Sequence, residues 1–208
     1  MAVALFGGSF DPVHLGHLRV AEDIREYFNL EKIIFVPAYL SPLKFSHSAS
    51  PEDRLNMLTI AISDNPNFEM STYEIEKKDR SYTVDTVNFF REKLGYNPAF
   101  IVGTDAFLTF ERWKNPNELI NITNFIVVLR KEDSVEKIKE VVSKIDDKIP
   151  VLEKSEIDFQ KSGVYIFFKR RIDISSTEIR ERVKKRSSIK YLLTKEVEEY
   201  IYSKNLYR

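Results

Sequence analysis

Two glycines and two histidines lie close together near the start of the chain. Gly7 and Gly8 end a short apolar run, and His14 and His17 follow at a spacing of one helical turn. Glycine lets a ligand approach the main chain, and a helix N-terminus favours an anion because its N–H groups are unpaired. Imidazoles three residues apart share one helix face and can donate hydrogen bonds to phosphate oxygens. The segment therefore indicates a phosphate-binding turn.

Other interpretations of this turn are weaker. No Gly-Lys-Ser/Thr follows the glycines, which excludes a P-loop, and the spacing is not G-x-G-x-x-G. The two histidines could be metal ligands, but they do not complete a metal site by themselves. They could also be structural groups with satisfied hydrogen bonds. His47, the third histidine, lies in a loop without a companion.

A second candidate anion site lies near the C-terminal end, at Ile174–Arg180. Its serines and the following glutamate approximate a capping box, which predicts a helix start. The same N-terminus presents hydroxyl and N–H groups, with an arginine one turn further on. Such donors suit the β- and γ-phosphates of a nucleotide, where negative charge builds as pyrophosphate leaves. The donors are Ser175, Ser176, Thr177 and Arg180.

Both segments resemble signatures of the nucleotidyltransferase superfamily. Gly8–His17 is similar to G-x-F-x-x-x-H-x-G-H, and Ile174–Arg180 matches I-S-S-T-x-I-R at every fixed position. Class I aminoacyl-tRNA synthetases share a related His-x-Gly-His element, but they carry a Lys-Met-Ser-Lys-Ser-like loop and a far longer chain. The resemblance implies a small adenylyltransferase in which the first segment binds ATP. The residues concerned are Gly7, Gly8, Ser9, Phe10, His14 and His17.

Three further elements bear on the acceptor of the adenylyl group. Tyr82 and Thr83 precede a predicted helix, Gly103 and Asp105 follow a predicted strand, and Trp113 is the single tryptophan. A hydroxyl can bind a carboxylate, an acid after a strand can bind ribose hydroxyls, and an indole can stack on a flat ring. Each element also has a structural interpretation: a turn, a helix cap and a half-buried packing residue.

Taken together, these elements resemble bacterial nicotinate-mononucleotide adenylyltransferases nearly end to end, including the terminal Leu-Tyr-Arg. The resemblance implies that Trp113 stacks on the pyridine ring, and that its carboxylate is bound near Tyr82, Thr83 and Lys114. The ribose and ATP would be held by Gly103, Asp105 and Arg130. Ser9 and Lys44 would hold the acceptor phosphate. One departure is Leu43, which stands where that family usually has a histidine.

This resemblance implies in-line attack of nicotinate mononucleotide on the α-phosphorus of ATP, giving deamido-NAD and pyrophosphate in NAD biosynthesis. The catalytic residues would be His14, His17, Lys44 and Arg180. The sequence offers no dedicated carboxylate cage, so we expect Mg²⁺ to arrive bound to ATP. The alternatives are nicotinamide mononucleotide or another phosphate acceptor, such as phosphopantetheine, and a nucleotide-binding regulator without catalysis.

The elements that must position these residues alternate along the chain as strands and helices. This pattern predicts a single α/β domain over residues 1–208: a Rossmann-like, doubly wound parallel sheet with helices on both faces and a small C-terminal helical part at about 175–208. Strands are expected at Val3–Phe6, Lys32–Val36, Phe68–Ser71, Ala99–Val102, Phe125–Leu129 and Val164–Phe168. Helices are expected at His14–Phe28, Pro51–Ser63, Thr83–Leu94, Val135–Lys144, Ser176–Lys185 and Thr194–Ser203.

The composition of the 208 residues is that of an ordinary globular protein, 43% hydrophobic and 31% charged. Lysine plus arginine equals aspartate plus glutamate at 32 each, so no overall field favours nucleic acid or an anionic membrane. The absence of cysteine excludes disulfides and thiolate metal sites. No apolar run approaches the ~20 residues of a membrane span. We therefore expect a cytoplasmic protein.

Overall fold

The structure is a computed structural model that describes residues 2–42, 46–129, 134–168 and 172–208. Short runs rich in Val, Ile and Phe form the strands, as expected for strands buried on both faces. The strands are β1 (Val3–Gly8), β2 (Lys32–Pro37), β3 (Phe68–Met70), β4 (Ala99–Gly103), β5 (Asn124–Val128), β6 (Val151–Leu152) and β7 (Gly163–Phe167).

The longer helices lie where the sequence predicts them, within two residues at each end. Most begin at a capping side chain, such as the hydroxyl of Ser50, which accepts a hydrogen bond from the N–H of Asp53. These helices are α1 (Leu15–Tyr27), α2 (Pro51–Ile62), α4 (Thr83–Leu94), α7 (Val135–Ile145), α8 (Ser176–Lys184) and α9 (Lys195–Ser203).

Several short elements were not predicted. They are α3 (Tyr73–Lys77), α5 (Thr104–Phe107), a 3-10 turn at Phe110–Arg112, α6 (Pro116–Asn121) and strand β6. Each is too short to show a helical or strand period, and so tertiary contacts decide its conformation.

The strands form one parallel sheet in the order β3-β2-β1-β4-β5-β7-β6. The chain moves outward from β1 through β2 and β3, then returns to place β4 on the other side of β1. In such sheets ligands bind beyond the carboxyl ends of the strands at this reversal. Gly8 and Gly103 end the two central strands at that point.

Helices cover both faces of the sheet, which confirms the doubly wound fold. Successive strand residues point to opposite faces, so Ile101 belongs to one core cluster while Phe100 and Val102 belong to the other. The first cluster lies under α1, α2, α8 and α9, and the second under α4, α6 and α7. The C-terminal helices α8 and α9 therefore share a core with α1 and α2. Among the described residues, no helix is long and apolar enough to span a membrane.

Candidate nucleotide-binding site

The glycine turn is packed too tightly for larger residues. A Cβ atom on Gly7 would lie 2.6 Å from the ring of Phe100, and one on Gly8 would lie 2.9 Å from the ring of Phe10. Phe10 has a left-handed backbone (φ 46°) and is 2% exposed, with its ring against His17. The side chain of Phe10 therefore packs beneath the turn and supports it.

His14 and His17 form a reciprocal cap at the start of α1. The N–H of His17 donates to Nδ1 of His14, and the N–H of His14 donates to Nδ1 of His17, each over 3.3 Å. The two imidazoles stack with their centroids 3.6 Å apart and their planes inclined by 23°. The sequence predicts one shared helix face for this pair, and the structure adds that the two residues fix each other.

The cap fixes the tautomer of both rings, and burial keeps them neutral. Because each Nδ1 accepts a hydrogen bond, the proton of a neutral imidazole must lie on Nε2, which is then a donor. Burial lowers the pKa of His14 to about 4, partly opposed by the negative charge of Glu178. Burial and the neighbouring His14 lower the pKa of His17 well below its ordinary value. Both rings are therefore neutral Nε2–H donors at neutral pH.

The second predicted segment contacts the glycine turn directly. The hydroxyl of Ser176 donates to the carbonyl of Pro12 over 2.8 Å, and Nη1 of Arg180 donates to the carbonyl of Asp11 over 2.7 Å. Arg180 also donates to the hydroxyl of Thr177, while the hydroxyl of Ser175 caps α8. The two segments, remote in sequence, thus form one unit. Ser176 and Arg180, which the sequence predicts to bind pyrophosphate, thus hold the glycine turn in place through its carbonyl groups.

A cavity of about 280 Å³ opens at the carboxyl ends of β1 and β4. It brings together eight of the residues that the sequence predicts for binding the two substrates. Its walls include Gly7, Gly8, Ser9, Tyr82, Thr83, Gly103, Trp113 and Lys114. His14 and His17 do not line it, and they lie beside it behind Phe6, which lines the cavity and contacts His17.

Trp113 and Lys114 both line the cavity, and each is held by neighbouring side chains. The indole of Trp113 packs on Phe110 and donates from Nε1 to the hydroxyl of Thr109 over 3.3 Å. The ammonium of Lys114 lies 4.6 Å from the centre of the Tyr82 ring and 3.0 Å from Oδ1 of Asp85. The Lys114 cation is therefore already paired with the Asp85 carboxylate at the edge of the cavity.

The other predicted residues do not line this cavity or lie outside the described residues. Phe10, His14 and His17 of the first segment do not line it, and neither do Ser175, Ser176, Thr177 and Arg180 of the second. Asp105 is exposed in the first turn of α5 and does not line it. Lys44 and Arg130 lie outside the described residues, as does Leu43. The roles predicted for these residues remain predictions.

Two charged residues that line the cavity, Glu74 and Arg112, were not predicted from the sequence. Glu74 is buried on the short helix α3 and accepts a hydrogen bond from the hydroxyl of Thr86 in α4. Burial raises the pKa of the Glu74 carboxyl, opposed by its hydrogen bonds with Thr86 and Ser81. Ser81 in turn accepts a hydrogen bond from the N–H of Tyr39. This network ties the start of α4 to the end of β2, and no local sequence pattern signals it.

His47, which the sequence places in a loop without a companion, has a neighbour in the structure. Its side chain is buried, with Nδ1 4.0 Å from Oδ2 of Asp11. His47 therefore lies next to Asp11 of the glycine turn and does not line the cavity.

The doubly wound fold, with the two predicted phosphate-binding segments joined at the carboxyl ends of its strands, is that of a nucleotide-binding α/β protein of the nucleotidyltransferase type. The profile of the cytidylyltransferase-like family matches residues 5–182, which include both segments. The chain belongs to the cytidylyltransferase-like family.

Individual relatives of known name define the place of the chain within that family. A protein of Aquifex aeolicus (strain VF5) named "Probable nicotinate-nucleotide adenylyltransferase" is 45% identical over 175 residues, which cover 84% of this chain and 98% of the relative. A protein of the same name from Hydrogenobaculum sp. (strain Y04AAS1) is 40% identical over 209 residues, covering 100% of this chain and 98% of the relative. The chain is thus a member of the nicotinate-nucleotide adenylyltransferase group.

A solved structure confirms the fold. The nicotinic acid mononucleotide adenylyltransferase of Plasmodium falciparum, complexed with NaAD, superposes with a TM-score of 0.77 at 21% identity. The superposition covers 99% of this chain and 97% of the Plasmodium chain. At this identity the likeness concerns the arrangement of the sheet and helices.

Proposed function

We propose that the protein transfers the adenylyl group of ATP to nicotinate mononucleotide, giving deamido-NAD and pyrophosphate in NAD biosynthesis. An oxygen of the acceptor phosphate forms a bond to the α-phosphorus as the bond to pyrophosphate breaks. The acceptor phosphate is already ionised at neutral pH, and so no strong general base is needed. Catalysis then consists of positioning and charge stabilisation.

One observation carries this proposal. The cavity that contains Trp113, Tyr82 and Thr83 opens at the same sheet edge as the glycine turn and the histidine pair. An indole at this position suits a flat pyridine ring, and the N-terminus of α4 at Thr83 suits its carboxylate. The pyridine nucleotide would thereby hold its phosphate beside the turn where ATP phosphates bind.

The histidine pair suits the α-phosphate. Its two Nε2–H groups are neutral donors, so they can stabilise charge that develops during attack without repelling the Mg²⁺ that accompanies ATP. Main-chain N–H groups of the turn and of the α8 N-terminus would bind the remaining phosphate oxygens. Lys44 is proposed to grip the acceptor phosphate, and Arg130 and Asp105 to contact ATP.

The metal belongs to the substrate in this scheme. Within the described part of the chain, no group of three or more His, Asp or Glu side chains could hold a metal ion. We propose that the Mg²⁺ ion is bound mainly by the triphosphate. No step requires a protein-bound metal.

Pyrophosphate release from MgATP tests the proposal, measured in parallel with nicotinate mononucleotide, nicotinamide mononucleotide and phosphopantetheine. We expect fast release with the first acceptor, and formation of deamido-NAD in equal amount. Release with nicotinamide mononucleotide or phosphopantetheine alone would retain the chemistry and contradict the acceptor assignment. ATP binding without release in any of the three reactions would instead support a regulator.

A further inference from the structure

The carboxylate of Asp11 is buried directly beneath the glycine turn and is 3% exposed. Its Oδ2 accepts a hydrogen bond from the N–H of Ser48 over 2.7 Å, and its Oδ1 accepts one from the N–H of Ala49 over 3.1 Å. These donors belong to the segment that follows the predicted acceptor loop and leads into α2. One side chain thus fixes the position of the phosphate-binding turn relative to the acceptor side of the site.

A third donor reaches Asp11 from the far end of the chain. The hydroxyl of Tyr207 donates to Oδ1 of Asp11 over 2.8 Å, and the two residues are 196 positions apart. After α9 the chain reverses through Asn205 (φ 53°) and Tyr207 itself (φ 62°), and this path directs the Tyr207 ring inward, where it is 7% exposed. Burial and the Asp11 charge raise the pKa of the Tyr207 hydroxyl, which therefore stays protonated as a donor.

The carbonyl groups of the turn are held by side chains on the same inner side. Arg54, which is fully buried, donates to the carbonyl of Ser9 over 2.8 Å. Arg180 and Ser176 bind the next carbonyls of the turn, those of Asp11 and Pro12. With the carbonyls turned inward, the path of the turn depends on this buried layer, and Asp11 is the anion at its centre.

We propose that Tyr207 is a positioning residue for adenylyl transfer: its hydroxyl holds the Asp11 carboxylate and, through it, the turn that leads into the histidine pair. This inference rests on the proposed function. A displacement of reacting groups by a fraction of an ångström lowers the rate of the chemical step more than it weakens ground-state binding. Loss of the hydroxyl should therefore lower kcat and leave KM almost unchanged.

The test is Tyr207→Phe, which keeps the ring and removes one oxygen. We expect kcat for pyrophosphate release to fall about tenfold, since a displaced turn no longer holds the histidine pair in its productive position. The KM values for MgATP and nicotinate mononucleotide should stay within about twofold. Unchanged kcat in the folded variant would overturn the proposal, and so would a rise in KM alone.

Tyr200→Phe is the matched control. Tyr200 lies on α9, and its hydroxyl donates to Oδ1 of Asp53 in α2 and accepts a hydrogen bond from Nδ2 of Asn56, each over 3.0 Å. Tyr200→Phe also removes a tyrosine hydroxyl that donates a hydrogen bond from the C-terminal region to an aspartate elsewhere in the protein. We expect it to keep the wild-type kcat. An equal loss in both variants would show a general effect of loosening the C-terminal region and would overturn the proposal.

Asp11→Asn and the double variant, which combines it with Tyr207→Phe, complete the test. If Tyr207→Phe does not fold, Asp11→Asn alone tests the role of the buried carboxylate. If the two residues act through one bond, the losses in kcat should be markedly less than multiplicative in the double variant. Multiplicative losses, or normal kcat in Asp11→Asn, would contradict the coupling. Wild-type turnover with nicotinate mononucleotide tests the proposed function separately. If another acceptor is used, the variant-to-wild-type ratio is measured with that acceptor.

Discussion

The imidazole rings of His14 and His17 stack with their centroids 3.6 Å apart, and each Nδ1 accepts a hydrogen bond from the main chain of the other residue. One nitrogen of each ring therefore stabilises the start of α1, and the other nitrogen is a donor. The structural role of the pair and its proposed catalytic role reside on different atoms, so they can be separated by substitution.

Asparagine should achieve this separation. In His14→Asn and His17→Asn, the amide oxygen can take the place of Nδ1 as the capping acceptor, but no atom replaces Nε2. We expect unfolding free energies within about 1 kcal/mol of wild type, with kcat lower by roughly 10²–10³. His17→Ala should lose both stability and activity. Near-normal turnover in a folded asparagine variant would contradict the role of the pair.

The same pair predicts a pH dependence of stability. Because the folded pKa of His14 is about 4 and the unfolded value is 6.5, the unfolded state binds more protons between these values. The folded state therefore has its full stability above the unfolded pKa of 6.5. The unfolding free energy decreases as the pH falls from there towards the folded pKa of about 4. From His14 alone, the unfolding free energy should drop by about 1 kcal/mol between about pH 7 and pH 5.5.

Urea unfolding across that pH range measures the effect. His14→Asn, which keeps the cap but does not titrate there, is the control and should show a flatter profile. Parallel profiles for the variant and wild type would show that His14 does not carry the dependence.

Trp113 should report acceptor binding directly. It is the single tryptophan of the chain, and it lines the cavity. Stacking of a pyridine ring on the indole should quench its fluorescence in a saturable way. Titration with nicotinate mononucleotide measures this, and titration with ATP is expected to cause a smaller change. Equal responses to both ligands would argue against a pyridine ring at Trp113.

Two glycines at the site should respond differently to alanine. A Cβ on Gly7 would clash with Phe100, whereas a Cβ on Gly103 would meet no atom within 4 Å. We expect Gly7→Ala to lower the unfolding free energy by about 1–3 kcal/mol, as overpacking does. Gly103→Ala should leave stability within about 0.5 kcal/mol and weaken ATP binding, because its methyl group enters the space assigned to the nucleotide. Thermal melts with and without ATP distinguish the two effects.

The sequence predicted the strands and long helices well because their signals are local. An apolar run that is buried on both faces is recognisable without its neighbours, and the bounds predicted for α4, Thr83–Leu94, are those observed. The short helices α3 and α6 carry no comparable period. Their conformation depends on packing, for example through the bond between Glu74 in α3 and Thr86 in α4.

By itself the sequence determined the parallel α/β fold and located the two candidate anion-binding segments, since each depends on residue types at fixed short spacings. Only the tertiary structure decided how these parts meet. Arg180 and Ser176 bind the glycine turn, Glu74 reaches the cavity, and Tyr207 reaches Asp11 across 196 positions. Hydrogen bonds of this kind depend on the path of the whole chain, because partners so far apart in sequence approach only after the sheet and both helical layers have formed.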